Sequence, residues 1–154
     1  MTKKLPESEW IEVVRNAVLI SFDILVHDEN GRYLLGYRRN SPAKDIWFTL
    51  GSAIRKNETL DNGFSRCIQD ELGFKYDVDR KSTYHGIYEH IYEDNFLNKE
   101  FGTHYIVIAH KFQLPHEVVV KNLPMDQHSS YCWMEVSEIL SSNMVHENVK
   151  LYFK

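Results

Sequence analysis

The 154-residue chain is short of several features that would assign it to a class at once. It has only two cysteines, Cys67 and Cys132, and neither sits in a C-x-x-C pair. That excludes a zinc-finger framework. Reduced thiols, buried as small apolar side chains, are the expectation. No apolar run approaches the roughly 20 residues of a membrane span. The opening MTKKLPESEW has no apolar signal core, so the expected location is the cytoplasm, away from any membrane. A basic excess is missing too. Net charge is −4, which argues against a nucleic-acid partner held by phosphate neutralisation. Internal repeats and low-complexity stretches are absent, and no composition shift marks a linker. One domain over residues 1–154 is therefore expected, with enough chain to bury roughly 68–70% of its unfolded surface.

What is present is an ordinary globular balance, 43% apolar and 26% charged, with rings in excess: nine Tyr, eight Phe, three Trp and eight His. Residues 7–16 place Trp10, Val13 and Val14 on one helical face. Residues 17–26, AVLISFDILV, are apolar almost throughout, as in a strand buried on both sides. Asp28-Glu29-Asn30-Gly31 makes a turn, and 32–39 returns as the second strand of a hairpin. A short strand is expected at 45–50, then a polar loop at 51–58. Thr59 is placed to cap a helix carrying Leu60, Phe64, Cys67, Ile68 and Leu72 at helical spacing, with Gly73 ending it. Strands at 82–92 and 103–113 follow, then a loop at 124–136 leading into a short strand. Helical pieces close the chain near 137–141 and 146–153. The pattern is mixed α/β rather than a repeating βαβ unit.

The helix after Thr59 carries the chemistry. Arg66 and Asp70 are i, i+4 and can pair on the surface. Cys67 and Glu71 lie on a neighbouring face. A glycine loop, Glu58 and terminal acids suggest a site for a hard cation such as magnesium. An amphipathic helix with a solvated charged face reads the same way.

Gly51 to Phe74, GSAIRKNETLDNGFSRCIQDELGF, resembles the Nudix box, G-x5-E-x7-R-E-U-x-E-E-x-G-U with U bulky and apolar. Glu58, Arg66, Ile68, Glu71, Gly73 and Phe74 match in register, and Asp70 matches an acid. Cys67 stands where the box has a metal-binding Glu. The stretches LPESEWIEVVR, SFDILV, LLGYRRNSPAKDIWF, YEHIYEDNF, THYIVI, DQHSSYCW and SSNMVHENVKLYF look like the GDP-mannose mannosyl hydrolase branch of that family. This resemblance implies an α+β fold, a mixed sheet sandwiched between helices. It implies a one-Mg²⁺ enzyme that hydrolyses GDP-mannose at the sugar carbon with inversion, releasing GDP and mannose.

The resemblance also nominates residues. The metal ligands would be the Gly51 carbonyl, Glu71 and the Gln127 side-chain oxygen, all donors that suit magnesium. His128 would be the general base, a loop histidine of near-neutral pKa. Arg38 would lie near the diphosphate and Asp23 near the sugar. Asp23 interrupts an apolar strand, so pairing for structural reasons is nearly as good a reading. His90 and Tyr105 would line the sugar and diphosphate pocket, and Trp10 would stack on the guanine. A homodimer, with the N-terminal segment reaching the neighbouring site, is implied as well.

Four departures cluster in one stretch. Ala53 replaces an arginine that faces the diphosphate in the branch, Ser52 a Gly, Leu50 a Pro and Asn57 an Asp. A lost contact to developing charge costs about 10²–10³ in rate. Three readings stay open: a nucleotide-sugar hydrolase, a conventional Nudix pyrophosphohydrolase, and a non-catalytic nucleotide-sugar-binding module.

Overall fold

The computed structural model describes residues 3–73, 75, 82–114 and 123–154. Phe74, the last residue of the box, lies outside them. Helix α1 spans Glu7–Asn16 and is followed by strand β1, Leu19–His27. Strands β2, Tyr33–Arg38, β3, Trp47–Phe48, and β4, Leu50–Ala53, come next. Helix α2 covers Leu60–Leu72. Strands β5, Ser82–Tyr92, β6, Thr103–Gln113, and β7, His128–Met134, precede helices α3, Val136–Ser141, and α4, Glu147–Lys150. A 3₁₀ turn, Leu151–Phe153, comes last.

Among the described residues the seven strands form one mixed sheet. β1 is its centre. It runs parallel to β6 from Leu19↔Tyr105 to His27↔Gln113 and antiparallel to β4 from Ser21↔Ala53 to Ile24↔Leu50. Alternation along β1 then assigns the two faces. Phe22, Ile24 and Val26 pack with Phe64, Cys67, Ile68 and Leu72 of α2. Leu25 joins Ala109 and Tyr152 on the opposite face. Ile139 of α3 and Val149 of α4 pack there on Leu35 and Phe48. The sheet is thus sandwiched between helices, as expected.

Local chemistry explains the element ends. Asp28 Oδ1 accepts the Asn30 and Arg32 N–H groups at 2.9 Å each, and Gly31 takes φ +75°. This closes the β1–β2 turn. Thr59 Oγ1 accepts from Asn62 N–H at 3.2 Å, and Gly73 ends α2 at φ +77°, the left-handed conformation that glycine adopts without strain. The stretch read as a polar loop at 51–58 begins as strand instead, because β1 offers it a ladder edge from Ser21 to Ile24.

Arg66 ties α2 to that strand. Its Nε and Nη2 donate to the two oxygens of Glu58 at 2.6 and 2.9 Å, and Nη2 also donates to the Ala53 carbonyl at 2.8 Å. Nη1 reaches Ser52 Oγ and Asp70 Oδ2, both at 3.1 Å. The pair foreseen with Asp70 is present, but the principal partner is Glu58, whose side chain is 4% exposed. Removing one partner of such a pair strands the other charge and costs roughly 3–5 kcal/mol. Arg66→Met should therefore lower unfolding stability in urea by about that much, while Asp70→Asn, at an exposed carboxylate, should cost under about 1 kcal/mol.

Candidate functional site

A cleft of about 760 Å³ opens beside β1 and β4. Trp10, Asp23, Arg38, His90, Tyr105 and Gln127 all line it, as does Gly51. They come from α1, β1, β2, β5, β6 and the segment before β7, with Gly51 from β4. Residues more than 100 positions apart in sequence are thus assembled by sheet pairing. His90 and Tyr105 are direct antiparallel partners, and Tyr105 pairs with Leu19 across the parallel ladder.

The cleft is chemically graded. Leu5, Trp10, Val13, Val18 and Ile20 give it an apolar wall. Arg38, Arg55 and Lys56, with Lys3 and Lys4, make it cationic. Arg55, two residues beyond Ala53, is the side chain that sequence offers in place of the missing arginine; Lys3, Lys4 and Lys56 were not nominated, because solvated cations look alike until the chain is folded. Arg38 Nε donates to the Pro42 carbonyl at 2.9 Å. The β2–β7 register shifts between Tyr37 and Arg38, an irregularity of the kind found beside sites.

Asp23 is buried on the floor. Thr49 Oγ1 donates to its Oδ2 at 2.9 Å, and Tyr152 Oη donates to the same oxygen at 2.5 Å. Burial raises its pKa to about 6, against the pull of these two donors and of Arg38. His90 is held neutral, its pKa pushed down to about 4 by burial.

Glu71 is 3% exposed and lies close behind Gly51. Gly51 N–H donates to it, and Gln127 Nε2 donates to its Oε1 at 3.0 Å. Ile54 N–H donates to the Ile20 carbonyl at 2.8 Å. In an antiparallel ladder the bonded pairs alternate, so Gly51, opposite Asp23, turns its N–H and its carbonyl away from β1. The Gly51 carbonyl, the Glu71 carboxylate and the Gln127 amide therefore gather at one strand edge. Among the described residues no group of three His, Cys, Asp or Glu gathers. A cation here would draw on one carboxylate, neutral oxygens and water, a donor set that fits magnesium. Gln127 would have to turn its amide oxygen inward. Glu58, read from sequence as part of a cation site, is occupied by Arg66. Cys67 is buried in the core, so it offers a cation nothing. Gly51 itself is obligatory, since a Cβ there would lie 2.4 Å from the Phe22 carbonyl oxygen and 2.5 Å from Asp23 Oδ1.

His128 differs from expectation. It begins β7 rather than sitting in a loop, opposite Arg38 in the ladder. Its ring lies against Gly36, where a Cβ would come within 2.5 Å of it, and edge-on to Tyr131. Both ring nitrogens are sealed without a hydrogen-bond partner among the described residues. Burial and then Arg38 push its pKa down to about 4. It is not among the residues lining the cleft.

Residues 18–154 match the NUDIX domain family model. The chain is 35% identical over 129 residues to the low-salt glycan biosynthesis protein Agl8 of Haloferax volcanii, covering 83% of this chain and 78% of that one. Among solved structures it resembles the MutT protein of Methanosarcina mazei Go1, with TM-score 0.67, 20% identity, and 88% and 90% of the two chains covered. It also resembles the NUDIX domain of Shewanella oneidensis NrtR, solved with ADP ribose, with TM-score 0.64, 13% identity, and 97% and 96% covered. At these identities the structural likenesses speak for the fold.

Burial raises the Glu71 pKa from 4.5 to about 8. A carboxyl raised on folding contributes stability that is fully present below its unfolded value and is lost as pH rises through the folded one. In metal-free buffer, Glu71→Gln should therefore gain Tm relative to the parent as pH goes from about 4.5 to about 8. Added Mg²⁺ should raise the parent's Tm and not the variant's.

Proposed function

The chain belongs to the Nudix family, and from that premise we propose that it forms a single Nudix domain over residues 1–154 that hydrolyses GDP-mannose or a close nucleotide sugar. The products would be GDP and free sugar. The observation that carries this reading is the convergence of Trp10, Asp23, Arg38, His90 and Tyr105 on one cleft, beside the oxygen-rich edge of Gly51, Glu71 and Gln127. The glycan-related name of the Haloferax relative supports a nucleotide-sugar role.

Each residue would have a defined task. Trp10, on the apolar wall, offers a flat ring for the base. Arg38 and Arg55, with the nearby lysines, neutralise the diphosphate. Asp23 and His90 meet the sugar, with Tyr105 beside them. A single Mg²⁺ held by the Gly51 carbonyl, Glu71 and Gln127 would supply further charge neutralisation on the leaving group. Water adds to the anomeric carbon as the bond to the diphosphate oxygen breaks. The bonding pair leaves with GDP, and the water's proton goes to a base on the opposite face. His128 is assigned that role, which requires its ring to leave the Gly36 face and reach the cleft. There its unpartnered nitrogens would find partners. The protein is read as a cytoplasmic homodimer; Lys3, Lys4, Leu5 and Trp10 line this chain's own cleft, so its N-terminal segment serves its own site without needing to reach the neighbouring one.

The sealed position of His128 favours a second reading, a module that binds nucleotide sugar without turning it over. The absence of a cationic side chain at Ala53 points the same way.

Turnover in ¹⁸O-water with Mg²⁺ should place label in the sugar and yield GDP. Label confined to GMP or sugar phosphate would establish cleavage between phosphates instead, and binding without products would establish the second reading. His128→Gln should lower turnover at least tenfold with the fold intact by circular dichroism. An unchanged rate there, with loss in Asp23→Asn, would move the base role to Asp23. Ala53→Arg should raise the rate if missing positive charge limits it.

A further inference from the structure

Tyr152 lies in the Leu151–Phe153 turn, 129 positions from Asp23 in sequence. It is 3% exposed and is not part of the cleft wall. Its hydroxyl is nevertheless shared between two residues that are. It donates to Asp23 Oδ2, and it lies 3.2 Å from His90 Nε2. The main chain of the same residue is anchored as well, its carbonyl accepting from His85 Nε2 at 2.8 Å. The ring is held by Tyr88, edge-on at 4.7 Å between centroids, and by Leu25 and Ala109 in the core.

Proton counting gives this arrangement a direction. A tyrosine hydroxyl has one proton and two lone pairs, and an ionised carboxylate can only accept. The proton of Tyr152 therefore goes to Asp23. Its oxygen can then only accept from His90, which places the imidazole proton on Nε2. Nδ1 of His90 is left as a bare acceptor. Thr49 and Tyr152 both use Oδ2 of Asp23, so Oδ1 is left as the second acceptor. Neither atom is among the sealed, unpartnered polar atoms of the described residues, and both side chains line the cleft. Burial keeps His90 uncharged, so the tautomer is the variable that counts.

We propose that Tyr152 is a positioning residue, which through one hydroxyl fixes the rotamer of Asp23 and the tautomer of His90 and so decides which of their atoms meet the substrate. This rests on the nucleotide-sugar reading only for its kinetic consequence; the tautomer is a property of the free protein.

Long-range ¹H–¹⁵N correlation of the imidazoles at neutral pH should show the wild-type His90 protonated on Nε2. Tyr152→Phe keeps the ring and removes the hydroxyl. In it, the Nε2–H preference should be lost, and kcat should fall about 10–100-fold, the size of a lost bond to a charged group, with KM changed less than about threefold. A wild-type His90 protonated on Nδ1 would overturn the proposal without any variant. So would a Tyr152→Phe protein with unchanged tautomer and kcat. If the wild type hydrolyses no nucleotide sugar yet the tautomer shifts as described, the positioning role stands and the substrate reading fails.

Discussion

A carboxylate in the middle of the central strand is the constraint around which this molecule is arranged. Asp23 sits between Phe22 and Ile24 on a strand paired along both edges. Burying it costs several kcal/mol unless it is hydrogen-bonded and paired. The answer is distributed over the whole chain. Thr49 comes from the junction before β4, Tyr152 from the last turn, and positive charge from Arg38 on β2. Gly51 is bare on the facing strand because Asp23 Oδ1 occupies the space of a side chain. Each of these contacts also shapes the cleft, so the electrostatic demand of one residue and the construction of the site are the same problem.

The second organising contact is the Arg66 clamp. By taking both oxygens of Glu58 together with the carbonyl of Ala53, it fixes α2 against β4. That registry brings Glu71 behind Gly51. The clamp also separates two kinds of acid that look alike in sequence. Glu58 is paired and structural, while Glu71 is buried, accepts from the Gly51 N–H and the Gln127 amide and feels the charge of Arg38 without an ion-pair contact among the described residues. Burial raises the Glu71 pKa to about 8 even though Arg38 and the Gly51 N–H pull it down, so its negative charge is only partly offset by its surroundings. The acid absent at Cys67 leaves no gap, because the thiol is absorbed into the core beside Phe64 and Ile68.

Much of the fold was legible in the chain. The α2 helix from the Thr59 cap to Gly73, the hairpin turn at Asp28–Gly31 and the strands at 82–92 and 103–113 all follow local rules of capping, turn chemistry and periodicity. The cleft-lining residues were nominated from motif resemblance, and pairing of distant strands brings Trp10, Asp23, Arg38, His90 and Tyr105 to one wall. Tyr152 was not legible as a site residue. A tyrosine in an amphipathic terminal stretch reads as core, and its second role appears only when β1 and β5 pass beneath it.

Sequence alone determined most element types, though not the strands that begin at Leu50 and His128, together with the family resemblance and the identity of the candidate side chains, because these depend on spacing and on local backbone chemistry. It also carried the β4 departures, visible as Ser52 and Ala53. Only tertiary structure decided access and protonation. Whether His128 faces the cleft or the Cα of Gly36, whether Glu58 holds a cation or Arg66, and how far Asp23 and Glu71 are shifted are all set by burial and by partners many residues distant. Those quantities belong to the packed molecule, since a side chain's dielectric surroundings and hydrogen-bond partners do not exist until the sheet has closed around it.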